Sequence, residues 1–112
     1  MVFVTGPLYS GKKAFVKEWL QWDEEAMREN AVWDVQDLAA DCDDLITLAE
    51  TLSKKQVVIA TEIGGGIVPA DAKDRASREA AGRLACLLAK EADTVIRVFC
   101  GIPTVLKGEE RL

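Results

Sequence analysis

Eight residues near the start of the chain have the types and the spacing to bind a phosphate group. They are, in order, Gly6, Pro7, Leu8, Tyr9, Ser10, Gly11, Lys12 and Lys13. This run matches the pattern GxxxxGK[ST] at every position except the last. Glycines at both ends let the backbone curl so that several N–H groups point at one anion, and Lys12 adds a positive charge for the β- and γ-phosphates of a nucleotide. The pattern predicts a phosphate-binding loop; the alternative is a glycine turn that happens to precede a helix.

The one mismatch in this pattern concerns the metal that usually accompanies a nucleotide. Lys13 stands where the pattern has Ser or Thr, whose hydroxyl normally ligates Mg²⁺. An ammonium group cannot ligate a cation and repels it. Lys13 either replaces the charge of the metal in a site with little catalysis, or its side chain points away and activity is lost. The sequence therefore predicts binding of GTP or ATP, leaves Mg²⁺ open, and predicts no residue as a metal ligand.

A second candidate residue, Glu62, follows the most apolar segment of the chain. Val57–Ala60 is continuously apolar, and Thr61 and Glu62 come directly after it. This order is typical of the strand-end carboxylate that orients Mg²⁺ and its waters in phosphate-transferring enzymes, although a strand followed by a surface glutamate is the alternative. Ligands bind at the carboxyl ends of parallel strands, so we expect Glu62 on the same edge as the loop. Lys12 and Glu62 are the predicted catalytic residues.

Three further groups of residues have both a functional and a structural interpretation. Gly64–Gly66 would allow close approach of a ligand or a subunit, or would form a flexible turn. Arg75 and Arg78 share a helix face and would bind phosphate or remain solvated. The three tryptophans are expected to pack in the core or at an oligomer interface rather than to stack on bases.

The elements that position these residues alternate between strand and helix. Apolar, β-branched runs predict strands at Met1–Thr5, Ala31–Val35, Gln56–Thr61 and Thr94–Cys100. The second of these is the weakest, because Asp34 interrupts it. After a turn at residues 101–103, Thr104–Leu106 is expected as a short edge strand, since proline is tolerated only at edges or strand starts.

Apolar residues at helical spacing predict the intervening helices. The first runs from Lys12 to about Arg28, the second contains Leu45–Leu52 with Asp41 or Asp43 as N-cap, and the third covers Ala70–Glu91 with Asp71 as cap. This alternation predicts an α/β fold of the P-loop type, with a parallel sheet, right-handed crossovers and helices on both faces. The whole chain, residues 1–112, is predicted to form a single small domain.

Composition excludes several classes of function. With 19 acidic and 14 basic residues, the chain has no excess of positive charge for a nucleic-acid surface. It has no apolar run long enough for a membrane helix and no evident signal peptide. Three cysteines suit neither a disulfide framework nor a metal site, so we expect a cytoplasmic protein with reduced thiols. The absence of histidine removes the commonest general base.

A longer signature connects the second half of the chain to a known family. Its residues are Glu62, Gly64, Gly66, Val68 and Pro69, followed by Arg75, Arg78, Gly82 and Arg83. Together with residues 2–15, this segment at 57–107 resembles the adenosylcobinamide kinase/adenosylcobinamide-phosphate guanylyltransferase family of cobalamin biosynthesis. The family shows N-E-[VI]-G-x-G-[IV]-V-P and then a helix with arginines and A-G-R. The resemblance implies a P-loop fold, a trimer, kinase action on the cobinamide hydroxyl with ATP or GTP, and GMP transfer through a covalent histidine.

The chain also departs from this family. The family is longer, and its middle part carries the guanylylated histidine, which this chain lacks. Lys13 replaces a serine, and Thr61 stands where the signature has asparagine. The resemblance therefore implies phosphate contacts for Gly11, Lys12 and Glu62 but no GMP transfer. The leading hypothesis is a nucleotide-binding protein of this kind, with a corrinoid as second ligand. The alternatives are a non-catalytic regulatory or oligomeric module and a small kinase acting on another alcohol.

Overall fold

The computed structural model describes residues 1–63, 71–109 and 112, and a five-stranded sheet runs through them. Its strands are β1 (Val2–Gly6), β2 (Ala31–Val32), β3 (Val57–Thr61), β4 (Thr94–Phe99) and β5 (Ile102–Lys107). They lie in the order β2-β3-β1-β4-β5. The first four are parallel, and β5 pairs antiparallel with β4. Parallel neighbours need long crossovers, which the helices provide, and the predicted α/β fold is confirmed.

Five helices connect or flank these strands in the described part of the chain. They are α1 (Lys12–Leu20), α2 (Glu24–Asn30), α3 (Gln36–Ala39), α4 (Leu45–Leu52) and α5 (Ala72–Glu91). The predicted single helix from Lys12 to about Arg28 is wrong. Gln21, with φ 57°, ends α1 in the left-handed conformation, and the carboxylate of Asp23 starts α2 by accepting from the Ala26 N–H at 2.8 Å.

The helix caps were partly predicted. Asp71 does cap α5, its side chain accepting from the Lys73 N–H at 2.8 Å. For α4, the cap is neither Asp41 nor Asp43 but Asp44, which accepts from the N–H and the hydroxyl of Thr47. Three aspartates lie close together before this helix, and only the backbone path decides which of them reaches the first turn.

Two strands differ from their predicted bounds. β2 ends at Val32 rather than Val35, because Asp34 is left-handed with φ 56° and the chain then enters α3, a helix that the sequence did not predict. β5 is longer than the predicted Thr104–Leu106, since Cys100 and Gly101 take up the turn with positive φ. The predicted glycine turn at Gly64–Gly66 and the predicted helix start at Ala70 lie outside the described residues.

Each face of the sheet has its own core, because successive strand residues point to opposite sides. On one face, Phe3, Val58 and Val95 pack with residues of α3, α4 and α5. On the other, Val4 and Ile59 pack with residues of α1 and α2. Helices therefore cover both faces, as predicted. The tryptophans lie partly buried against the second core, in agreement with their predicted packing role.

The carboxyl ends of β1 and β3 lie at the same edge of the sheet. β1 and β3 are in register from Val2 with Val57 to Gly6 with Thr61, so the loop after β1 and the segment after β3 emerge side by side.

Among the described helices, none combines the length and apolar character needed to cross a membrane.

Candidate phosphate-binding site

The predicted loop connects the end of β1 to the start of α1 at this edge. Gly6 is the last residue of β1, and Gly11, left-handed with φ 88°, is the N-cap of α1. No side chain caps this helix. The first N–H groups of a helix have no partner within it, so those of α1 are available to an anion, which the positive end of the helix also attracts.

Lys12 is buried within the loop, with 8% of its surface exposed. Its Nζ donates to the carbonyl oxygen of Pro7 at 2.7 Å and lies 3.5 Å from the Ser10 Oγ. Burial lowers the pKa of Lys12, while the nearby carboxylates of Asp34 and Glu62 act in the opposite direction. The side chain thus folds back over the loop and places a positive charge where the pattern requires one.

A cavity of about 310 Å³ lies over the loop. It is lined by Leu8, Tyr9, Ser10, Gly11, Lys12, Lys13, Ala14, Asp34, Ile59 and Thr61. Six of the eight predicted binding residues therefore share one cavity. The other two have different tasks, since Gly6 turns the chain and the Pro7 carbonyl holds Lys12. A larger groove of about 890 Å³, between α4 and α5, shares none of these residues.

The turn between β4 and β5 supports the loop from the side. The Gly101 N–H donates to the carbonyl oxygen of Ser10 at 2.8 Å. Ser10 itself is buried, and its N–H donates to the Pro7 carbonyl oxygen at 3.2 Å. The loop is therefore held by a hairpin that lies some ninety residues away in sequence, a contact that no local signal indicated.

Glu62 lies next to the start of the loop, as expected. Its backbone N–H donates to the carbonyl oxygen of Gly6 at 2.8 Å. Its carboxylate, however, accepts two hydrogen bonds from Arg97 of β4, at 2.7 and 2.9 Å. This bidentate pair raises the pKa of Arg97. The location of Glu62 fits the prediction, while its catalytic role stays a prediction.

Lys13 faces a tryptophan. Its Nζ lies 4.4 Å from the centre of the Trp33 ring, which is a cation–π contact. Asp34, the residue after Trp33, lines the same cavity as Lys13. No site role was predicted for Trp33, Asp34 or Arg97 from the sequence. A charged residue inside the apolar run of β4 was a signal for Arg97, and the acid that interrupts the predicted strand Ala31–Val35 was one for Asp34.

The donors around the loop do not fit a loop-bound Mg²⁺. The position of the usual hydroxyl ligand holds Lys13, and both oxygens of Glu62 accept from Arg97. Asp34 is the carboxylate that lines the cavity, and one carboxylate next to two lysines is a poor site for a divalent cation. In the described part of the chain, no group of three or more His, Cys, Asp or Glu residues is placed to hold a metal.

Comparison with known proteins gives one family. The sequence model described as cobinamide kinase / cobinamide phosphate guanyltransferase matches residues 21–106. The chain is 33% identical over 87 residues to the bifunctional adenosylcobalamin biosynthesis protein CobU of Escherichia coli K12 and 36% identical to that of Salmonella typhimurium LT2. Each alignment covers 78% of this chain and 44% of the relative, so the chain aligns with less than half of each relative. The match to the family model begins after the loop. The interpretation of Gly6–Lys13 as a phosphate-binding loop therefore rests on the geometry of the loop itself.

Proposed function

The chain belongs to the cobinamide kinase / cobinamide phosphate guanyltransferase family, and we propose that it binds the phosphates of GTP or ATP in the loop Gly6–Lys13. The observation that carries this proposal is the ammonium of Lys12, which is buried against the Pro7 carbonyl oxygen inside the loop. A buried charge is costly unless it is paired, and the hydrogen-bond partners of Lys12 here are neutral oxygens, while the carboxylates of Asp34 and Glu62 act on it electrostatically. A phosphate would supply a counter-charge in direct contact with the ammonium.

Each part of the loop has a role in this proposal. The uncapped N–H groups at the start of α1 contact the phosphate oxygens, and Lys12 neutralises charge on the β- and γ-phosphates. The exposed side chains of Leu8 and Tyr9 lie at the outer side of the loop, where the rest of a nucleotide would enter. Phosphoryl transfer depends mainly on positioning and electrostatics, and these are what the loop provides.

The relatives are named for adenosylcobalamin biosynthesis, so the second ligand proposed for this chain is a corrinoid of the cobinamide type. We propose that these residues do not transfer GMP, because none of the 112 is a histidine that could carry the nucleotide. A cytoplasmic location and a homotrimer, both expected from the sequence and its resemblance, belong to the same proposal. A small kinase for another alcohol is the remaining alternative, and no residue that the structure describes specifically favours it.

A second candidate is a non-catalytic regulatory module that binds nucleotide. Two features favour it: Lys13 in place of the hydroxyl, and the engagement of Glu62 by Arg97. Cobinamide-dependent turnover of GTP or ATP separates the two candidates. Turnover supports a cobinamide kinase without GMP transfer, and binding without turnover supports the regulatory module.

The direct test is calorimetric titration with GTP and with ATP, using Lys12→Ala beside Lys54→Ala. Lys54 is exposed after α4, and its replacement by alanine removes the same charge at a place away from the loop. Lys12→Ala is expected to weaken binding about 10- to 100-fold, the range for losing a charged hydrogen-bonding group, and Lys54→Ala to leave it unchanged. Equal affinity of Lys12→Ala and the parent, or no binding at millimolar nucleotide, would refute the proposal.

A further inference from the structure

The ion pair between Glu62 and Arg97 is bidentate, and both side chains are partly exposed to solvent. Nε and Nη2 of Arg97 donate to the two carboxylate oxygens of Glu62 at 2.7 and 2.9 Å. The guanidinium also lies 5.4 Å from the centre of the Phe99 ring, which gives it a second contact. The planar fork of arginine matches a carboxylate in this way and a lysine does not. The charge of Glu62 is therefore neutralised by the protein itself.

The backbone places this pair where β1 enters the loop. Arg97 is opposite Thr5 in the pairing of β4 with β1, and the N–H of Glu62 donates to the Gly6 carbonyl oxygen. The charge of Glu62 also reaches Lys12, because it helps to offset the lowering of the Lys12 pKa by burial. A phosphate bound on Lys12 would accordingly experience a bare Glu62 carboxylate as repulsive. Either a metal ion or a protein cation must cancel that charge.

The position that usually supplies a metal ligand is cationic as well. Lys13 lies over Trp33 and lines the cavity together with Asp34. Among the described residues, three cations (Lys12, Lys13 and Arg97) and two carboxylates (Glu62 and Asp34) thus lie in the loop cavity or next to it. Without Arg97 the charges would balance, and an anion would gain little from binding.

We propose that this site takes nucleotide phosphates without a divalent cation, and that Arg97 makes this possible by neutralising Glu62. The inference rests on the proposed function of the loop. Arg97 is a positioning residue here: it acts through the carboxylate of Glu62, and the phosphates are contacted by Lys12, Lys13 and the amides of α1. A bound nucleotide would keep its charge balanced by side chains alone.

The test is titration with GTP in EDTA and in excess MgCl₂, for the parent, Arg97→Leu, Glu62→Gln and the double variant. The parent is expected to bind at least as tightly in EDTA as in Mg²⁺. Arg97→Leu should lose about tenfold or more in EDTA, because an unneutralised carboxylate then faces the phosphates, and should recover in Mg²⁺. Glu62→Gln should bind in EDTA at least as tightly as the parent, because it removes the carboxylate and leaves Arg97 in place. The double variant should recover most of the affinity that Arg97→Leu loses.

The outcomes separate this inference from the function on which it rests. Binding by the parent only in Mg²⁺, or unchanged binding by Arg97→Leu in EDTA, would overturn the inference and leave the nucleotide site standing. No binding in either buffer would overturn both. Thermal unfolding of each variant checks that it is folded, and the double variant, which lacks the same arginine, shows whether a loss in Arg97→Leu comes from Glu62 or from damage to the sheet. If Arg97→Leu does not fold, the effect of Mg²⁺ on binding by the parent still tests whether the site takes nucleotide without a divalent cation.

Discussion

A Cβ atom at Gly6 would lie 2.2 Å from the carbonyl oxygen of Val98. No side chain fits at such a distance, and the φ of Gly6, 155°, is one that L-residues rarely adopt. The backbone of β4 therefore packs directly against the first residue of the phosphate loop. The glycine that begins the loop pattern serves the contact between two strands as well as the turn.

Gly6→Ala is expected to lower the free energy of unfolding by about 1–3 kcal/mol or more, the usual cost of overpacking. Gly82→Ala is the matched control. In α5, a Cβ at Gly82 would meet no described atom within 4 Å outside the backbone of its own helix, and alanine in a helix interior is favoured over glycine by about 0.5–1 kcal/mol. Urea denaturation should thus show opposite signs for the two variants. A neutral Gly6→Ala would contradict the close packing of β4 on the loop.

Lys13→Ser restores the residue that the loop pattern has at this position and removes the cation held over Trp33. Nucleotide binding in EDTA should weaken, and binding in Mg²⁺ should tighten, because the new hydroxyl is a metal ligand. The ratio of the two dissociation constants should shift roughly tenfold towards Mg²⁺. Calorimetry in both buffers measures this ratio. Lys54→Ser is the control, because it makes the same change of charge away from the loop. An unchanged ratio would show that position 13 has no bearing on the metal.

Asp44 caps α4, and hydrogen bonds from the hydroxyl and then the N–H of Thr47 hold the pKa of Asp44 below its ordinary value. A carboxylate with a depressed pKa in the folded state stabilises the fold above its unfolded pKa, and this contribution disappears as the pH falls through the folded value. Asp44→Ala should therefore lower the melting temperature by a few degrees at neutral pH, and the difference from the parent should shrink below about pH 3.8, the ordinary pKa of aspartate.

The control for the cap is Asp43→Ala. Asp43 is exposed and was one of the two caps predicted from sequence, while the structure gives the cap to its neighbour. Its replacement should leave the melting temperature unchanged at every pH. Equal effects of the two substitutions, measured by circular dichroism, would mean that net charge rather than capping accounts for the loss.

Much of the fold could be predicted from the sequence, because neighbouring residues indicate each strand and helix. The apolar run at Val57–Thr61 and the stripe at Leu45–Leu52 each determine an element by themselves. Predictions failed where two local preferences competed. The helical spacing after Lys12 continues past Leu20, but Gln21 turns left-handed and Asp23 starts a new helix, and spacing alone does not show such a break.

The loop at Gly6–Lys13, the α/β alternation and the likeness to a family could each be predicted before the fold was known, because neighbouring residues carry these signals. The surroundings of the loop depend on how the strands pack together. Glu62 and Arg97 are 35 residues apart, and they meet because β3 and β4 flank β1. Gly6 meets Val98 for the same reason. Strand order and register depend on packing over the whole sheet, so the partners of each charged group appear only when the chain is folded.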